Sequence, residues 1–529
     1  MQPLSIGFAS IYAWRPHVEH LAFLAQLAES AGHHVSFLAC DGDLPTCYTR
    51  ELRDIRPDWM ECLLCRAGGI RSYRASGVSA IGELARAQPP LAQVSAETFA
   101  ASSAATLGRF EAPEEYSSAE FMSLRDRLVP TVDLVYRAAR EWIRRERLDA
   151  VCVFNGRIDA TRAVFEAARD SDIRALTIER SWAGHGIQIM PDENCLGLRS
   201  IHRIVGQWRD CPLTSEQARL AAAPIAARIT RSNTREWRAY NLLAEEVEWP
   251  VAGARRRLLL LPGSLNEIWG DANWASGWPE VTEAYDAILD HLDLDGRDVV
   301  LRCHPNWSEP IGGRDGSRPE AYYTRWARSR GIHLIASADR ASTMSLIRDC
   351  EAVVLASGSA AVEAAAMGKQ VISVAPSPYF ASGICTDVTQ PALISRLRLL
   401  VDEPRERRNA AEDTLRRMAL RFSYTSAHRI PQYVRHVRAQ SSWQFQYVPG
   451  ADSSRFIELV RTGTLRADDE AFATDFAGED EVITLMQKGR WSELAAGGSA
   501  EPAEGAPFRR RALFMPLDFV RARMKVGDR

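Results

Sequence analysis

The stretch that decides the fold is residues 352–374, AVVLASGSAAVEAAAMGKQVISV. Ala352 to Ala356 is a wholly apolar run of strand length, Ser357-Gly358-Ser359 is a small-residue turn, and Ala360 to Met367 reads as a helix carrying Glu363. Gly368-Lys369-Gln370 then leads into a second apolar run, Gln370 to Val374. Short apolar runs separated by a helix read as parallel strands buried on both faces. A small-residue turn opening a helix leaves backbone N–H groups at the positive end of the dipole, a place for a phosphate or diphosphate. Glu363, one turn further on, is placed to accept from ribose hydroxyls. The alternative is that Ser357 to Ser359 only caps the helix and Glu363 is a surface residue.

The same rhythm extends outward. Val299 to Cys303 reads as a buried strand that delivers His304-Pro305 to its carboxyl end; proline stops the ladder there and His304 can donate to a phosphate. Runs at Arg257 to Leu261 and Gly331 to Ala336 complete a set of parallel strands, with Thr343 to Arg348 helical. Upstream, Leu4 to Ala9 and His34 to Ala39 flank a helical stretch, His20 to Ala31, after a loop containing Trp14-Arg15-Pro16-His17. Residues 66–130 are rich in Ala, Ser and Glu and read as mostly helical. Thr131 to Arg145 is then a helix, Ala150 to Phe154 a strand, Thr161 to Asp170 a helix and Ala175 to Ile178 a strand. The expected fold is α/β, with two Rossmann-like halves facing across a cleft. The expected domains are residues 1–250, residues 251–415 and a helical extension, linker and tail over 416–529.

Composition narrows the function classes. The chain has 529 residues, 46% hydrophobic and 25% charged, and a formal net charge of −3. That balance supplies no global field for nucleic acid. Only Lys369, Lys488 and Lys525 are lysines, against 62 arginines, a skew that fits codon bias better than a wholesale anion-binding role. No run approaches the roughly 18 apolar residues of a membrane span, and the start lacks the pattern of a signal peptide, so a cytoplasmic protein is expected.

Four of the ten cysteines, Cys40, Cys47, Cys62 and Cys65, fall within residues 40–65 as C-x6-C-x14-C-x2-C. The C-x2-C pair with a second pair upstream suits a structural zinc site, an iron–sulfur cluster less so; unliganded thiols and redox-active thiols are the alternatives. At the other end, residues 495–507 read as a flexible linker. Residues 508–529 interleave seven basic residues with Leu513, Phe514, Leu517, Phe519 and Val520. Peripheral contact with the inner membrane is one reading of that tail; a terminal helix docked on its own protein, or disorder, is the other.

The runs LRCHPN at 301–306, GIHLIAS at 331–337 and SLIRDCEAVVLASGSAAVEAAAMGKQVISV at 345–374 resemble the nucleotide-sugar half of GT-B glycosyltransferases. Within that fold they are most similar to the bacterial capsule polysaccharide biosynthesis proteins that include Kdo transferases. The resemblance covers about residues 255–380. It implies that His304, Pro305, Ser357, Ser359 and Glu363 hold a nucleotide-sugar donor, with Arg302, Gly263, Ser264 and Gly358 beside them. A Gln-x-x-x-Asp element found in capsule Kdo transferases is replaced by Pro262-Gly263-Ser264-Leu265-Asn266-Glu267, which leaves the donor open among CMP-Kdo, other CMP-sugars and UDP- or GDP-sugars.

The resemblance places the acceptor, a cell-surface polysaccharide or lipid-linked glycan, on the N-terminal half, and it implies no catalytic metal. Candidate catalytic carboxylates there are Glu179 and Asp159. Asn155, Arg157, Arg162 and Arg180 are acceptor-binding candidates, because they stand at or beside strand ends, where open α/β sheets bind ligands. The structural alternatives are an ion pair for Glu179-Arg180 and a helix cap for Asp159. Trp269, Trp274 and Trp278 would stack on sugar or pack as core. Two rival functions share the pattern: an epimerase of the UDP-N-acetylglucosamine 2-epimerase type, and a non-catalytic glycan-binding component of a polysaccharide export system.

Overall fold

A computed structural model describes residues 2–233, 241–310, 316–497, 505–514, 516 and 518. The first six strands are β1 (Ser5–Ser10), β2 (His34–Ala39), β3 (Val78–Ala80), β4 (Ala150–Phe154), β5 (Arg174–Arg180) and β6 (Ile187–Pro191). They form one sheet in the order β3-β2-β1-β4-β5-β6, parallel except for β6, which runs antiparallel to β5. The next six are β7 (Leu258–Leu261), β8 (Val299–Arg302), β9 (His333–Ile335), β10 (Ala352–Leu355), β11 (Gln370–Ser373) and β12 (Cys385–Asp387). Their order is β12-β11-β10-β7-β8-β9, all parallel. The central strands β4, β7, β8, β10 and β11 are buried along their whole length, which is why they read as unbroken apolar runs.

Two Rossmann-like halves and a helical C-terminal region are the GT-B arrangement that the sequence led us to expect. In each sheet the chain winds one way and then reverses, between β1 and β4 in the first and between β7 and β10 in the second. The loops after those four strands are therefore the ones held apart at the crevice.

Between the halves, Arg109 donates to the carbonyls of Asn306 (2.8 Å) and Glu309 (2.7 Å), and the Tyr116 and Trp269 rings stack at 4.4 Å and 2°. Glu111 is fully buried and accepts from the Leu265 N–H (3.0 Å) and the Tyr323 hydroxyl (3.2 Å). Burial pushes its carboxyl up to about 8, so this joint is formed by a protonated acid at neutral pH.

Some elements depart from the sequence reading. Residues 66–130 contain helices, Gln93–Gly108 among them, but also β3, whose three residues are too few to show a period. The helix expected at Thr131 runs from Ala119 to Glu146 straight through Pro130. β6 and the antiparallel hairpin of β13 (Val437–Ala439) and β14 (Phe445–Tyr447) were not foreseen.

The C-terminal region returns to the first half. Helix Arg405–Tyr424 packs on both Ala360–Ala366 and Ser215–Ile229, helix Ser453–Thr462 packs on His17–Ser30, and Ile187 of β6 bridges Gln432. Of the expected linker, residues 498–504 lie outside the described residues. The described start of the tail is docked on the first half. Arg511 N–H donates to Ser72 O (2.8 Å), Arg510 to Ala67 O (2.7 Å), and the Phe508 ring meets Tyr73 and Tyr447. Positions 515, 517 and 519–529 of the tail are outside the described residues. Among the described residues no helix is long and apolar enough to cross a membrane.

Candidate functional site

A cleft of about 3500 Å³ runs between the halves and is lined from both. The second half contributes Arg302, His304, Pro305, Ser357, Gly358 and Ser359, with Glu363 behind the turn. Six of the nine donor-side candidates thus line the cleft as neighbours at two strand ends, with Glu363 a seventh.

His304 caps the short turn Pro305–Ser308, its Nδ1 accepting from Asn306 N–H at 3.2 Å. That bond assigns the remaining ring proton to Nε2, the form that donates to an anionic oxygen. Burial lowers the ring's pKa to about 4, so at neutral pH it is an uncharged donor. After β10 the backbone turns through Gly358 at φ 129°, a conformation that favours glycine. A Cβ on Gly263 would stand 2.4 Å from Ser357 Oγ, so the loops after β7 and β10 approach closely and a side chain at 263 would require Ser357 to move its hydroxyl.

Four donor-side candidates stand otherwise than the sequence suggested. Arg302 lines the cleft, but its guanidinium is spent on the carbonyls of Ala336 and Asp339, bracing the loop that follows β9. Ser264 and Gly263 do not line the cleft; Ser264 Oγ accepts from Trp307 Nε1 at 2.9 Å. Glu363 is only 1% exposed and accepts from Arg228 Nη1 at 2.6 Å. Arg228, in the last turn of helix Ser215–Ile229, also lines the cleft and is a residue the sequence did not reveal, since its partner is 135 positions away. The helix after the turn, Ala360–Ala366, is seven residues long, so its dipole is smaller than the expected site assumed.

The first half meets the cleft through the loop after β1, with Trp14 and Arg15, and through the helix that follows, His17–Ser30, with His17 at its start. His17 packs its ring 4.1 Å from Phe154 and places Nε2 3.1 Å from Glu179 Oε2. Asn155 Nδ2 donates to the other oxygen, Oε1, at 2.7 Å, and Asn155 itself is held at φ 64° with Oδ1 accepting from the N–H groups of Arg157 and Ile158. Burial pushes the Glu179 carboxyl up, but the His17 bond and charge, with Asn155 and the Arg180 N–H, outweigh it and hold the group below its ordinary value. An ionised Glu179 accepts from His17 Nε2, while the other ring nitrogen, Nδ1, is buried and has no partner among the described residues. His17 was quoted in the sequence only as part of a loop; its place at the β1 switch-point end was the available signal.

The other N-terminal candidates are drawn inward. Asp159 is 0% exposed, accepts from the Tyr12 hydroxyl (2.8 Å) and does not line the cleft; burial raises its carboxyl to about 6. Arg157 is buried on Ser102 and Thr106. Arg162 pairs with Glu166 along its own helix and lies over the Phe99 ring. Arg180 donates to Ser442 O at 2.9 Å. None of these three lines the cleft, and neither does Asn155 or Glu179 directly. The tryptophans are structural too: Trp269 stacks on Tyr116, while Trp274 and Trp278 donate to the carbonyls of Leu196 and Val388.

Cys40, Cys47, Cys62 and Cys65 are free thiols in one corner of the first half, their thiols raised by burial in the cases of Cys40, Cys47 and Cys65. Arg50 donates to Cys62 Sγ at 3.5 Å. Among the described residues no three His, Cys, Asp or Glu side chains are grouped to hold a metal ion, so this arrangement gives the zinc or iron–sulfur reading no support.

No protein-family profile matches the sequence, and no curated protein matches it. Solved structures do share the architecture. A Thermosulfurimonas dismutans KpsC β-Kdo 2,4 transferase aligns at 14% identity and TM-score 0.32, over 52% of this chain and 79% of its own. A Neisseria meningitidis UDP-GlcNAc 2-epimerase bound to UDP-GlcNAc aligns at 12% identity and TM-score 0.28, over 87% and 100%. A Staphylococcus aureus MnaA structure with UDP gives 13% and 0.27, over 90% and 100%. These likenesses concern the fold and give no residue a role.

Proposed function

We propose that the chain transfers a sugar from a nucleotide-sugar donor to a cell-surface polysaccharide or lipid-linked glycan. One observation supports this above the others. The cleft is lined from the second half by neutral His304 and the Ser357–Ser359 turn and from the first half by His17, which is hydrogen-bonded to ionised Glu179.

In this reading the nucleotide phosphates lie at the ends of β8 and β10. The His304 Nε2 proton and the backbone of the Ser357–Ser359 turn meet the charge that develops on the leaving phosphate oxygen. An acceptor hydroxyl enters from the first half, its oxygen forms a bond to the anomeric carbon, and the bond from that carbon to phosphate breaks with its electron pair leaving on the nucleotide. The hydroxyl proton passes to the His17 ring, and Glu179 balances the imidazolium through Nε2. Asn155 is a positioning residue, because its side chain holds Glu179 and its own loop while its backbone pairs with Ile178 and Cys195. The Arg228–Glu363 pair spans the cleft wall beside the donor turn and orders it.

A thermal-shift panel of cytidine, uridine and guanosine nucleotides tests the donor side: one class is expected to raise the melting temperature, and His304→Ala to reduce that rise. Incubating the protein with the matching nucleotide sugar, with and without glycan, tests the reaction. Transfer that needs the glycan supports the proposal. Epimerised sugar without glycan replaces it with an epimerase, and the absence of both nucleotide binding and turnover replaces it with a glycan-binding component.

A further inference from the structure

Helix Asp58–Gly68, at the edge of the first half, turns an apolar face outward. Trp59 and Leu63, four residues apart and so on one face, are 66% and 58% exposed; Leu64 beside them is 48% exposed, and Ile55 in the preceding turn 71%. The opposite face is committed to the protein, with Glu61 only 3% exposed. The docked tail adds to the same corner, because Arg510 ties it to Ala67 at the helix's C-terminal end, and two residues later a short turn, Ala512–Phe514, leaves Leu513 82% exposed.

Cations surround this face. Arg53 and Arg56 anchor on the buried Glu61 at 2.9 and 3.0 Å yet keep 42% and 45% of their side chains exposed. Arg66, Arg74, Arg509 and Arg511 are exposed, and Asp54 and Asp58 are the exposed carboxylates interspersed with them. Leu52, Arg53, Ile55 and Arg56 also line the cleft, so the face borders its mouth.

We propose that the apolar stripe Ile55-Trp59-Leu63, with its arginines and the docked tail turn, seats the cleft mouth against an anionic lipid bilayer. Tryptophan and leucine enter the boundary between headgroups and chains, while arginines beside them stay with anionic headgroups. A second copy of this chain suits the face less well, because a two-fold pairing sets the same patch against itself and brings arginines against arginines. The face differs from the tail segment on which the sequence placed membrane contact, since most of it belongs to the first half. Bilayer binding needs no turnover, so it stands or falls separately from the proposed transfer.

The experiment is co-sedimentation of the full chain with vesicles of phosphatidylcholine alone, or of phosphatidylcholine and phosphatidylglycerol in equal parts, with no sugar present. The wild type is expected to sediment with the mixed vesicles and to be released by salt. The triple variant Trp59→Ser, Leu63→Ser, Leu64→Ser should lose about tenfold or more in binding while its melting temperature and nucleotide binding stay unchanged. If the triple variant does not fold, Trp59→Ser alone carries the test with the same direction of loss. Arg66→Ser with Arg509→Ser should weaken binding to the mixed vesicles only. The proposal is overturned if the wild type stays in solution with both vesicle types or if the serine variants bind as the wild type does. It is also overturned if those variants turn a dimer into a monomer with no change in vesicle binding, which assigns the face to a second copy.

Discussion

The two switch points of this molecule follow one topological rule and make opposite use of it. At β7 and β10 the strand ends open onto the cleft, and the polar residues that follow them, His304 and the Ser357–Ser359 turn, line it. At β1 and β4 the residues after β4 are spent inward, and the cleft is met by the loop after β1. The difference is in what covers the strand ends. Helix Gln93–Gly108 lies against the end of β4, taking Arg157 on Ser102 and Thr106 and meeting Asp159 through Ser103. The segment from the C-terminal region lies over the end of β5, where Arg180 meets Ser442. A strand end marks a ligand site only where no other element has claimed it.

That contrast can be broken most sharply at His17. His17→Asn should lower turnover by about 10² to 10⁴ while nucleotide affinity holds, because a general base acts in the transition state and not on the bound donor. Comparable loss of nucleotide affinity would move His17 to the donor side. Glu179→Gln should lower turnover less and shift the pH profile, since it acts through the ring of His17.

The next effect is expected at the other switch point. His304→Ala should weaken nucleotide binding about tenfold, roughly 1.4 kcal/mol, with calorimetry as the readout. The ring is neutral down to about pH 4, so wild-type affinity should show no rise as pH falls through 6.5. A rise there would mean that a charged imidazolium binds the phosphate. The same shift makes a stability prediction. Between about pH 6.5 and 4 the unfolded chain takes up a proton that the folded one refuses, so this residue's contribution to stability is lost as pH falls through that window.

Asp159→Asn sharpens the comparison from the buried side. Its amide oxygen can keep the Tyr12 hydrogen bond without burying a charge, so turnover should stay within about twofold and the melting temperature should hold or rise. A tenfold loss of turnover would return Asp159 to the chemistry.

A pH-dependent effect is expected at the joint between the halves. Glu111 keeps its proton to about pH 8 when folded but loses it near 4.5 when unfolded. Its contribution to stability is therefore complete below pH 4.5 and is lost as pH rises towards 8. Glu111→Gln should flatten that alkaline decline in pH-dependent melting curves, and an unchanged decline would place its cause elsewhere.

How much of the site was legible follows the same divide. His304, Pro305, Ser357, Gly358, Ser359 and Glu363 were readable because a short strand, its turn and the next helix are contiguous in sequence, and contiguity carries them to one place. His17 stood in plain view at the end of β1, but a loop with Trp, Arg, Pro and His has no period, and nothing in it names Glu179, 162 positions later, as its partner. Arg228 was invisible for the same reason. Asp159 and Arg157 follow a strand end, but that position does not by itself give exposure, and both are buried.

The sequence by itself determined the two parallel sheets, since strands buried on both faces must be continuous apolar runs and the helices between them must repeat with their own period. It also set the turn after β10, where a strand, a small-residue loop and a helix follow one another within a dozen residues. Only the tertiary structure decided which strand ends face the cleft, which polar groups are consumed in holding the halves together, and that the C-terminal region folds back over the first half. Those outcomes depend on contacts between residues far apart along the chain, and such contacts leave no local pattern to read.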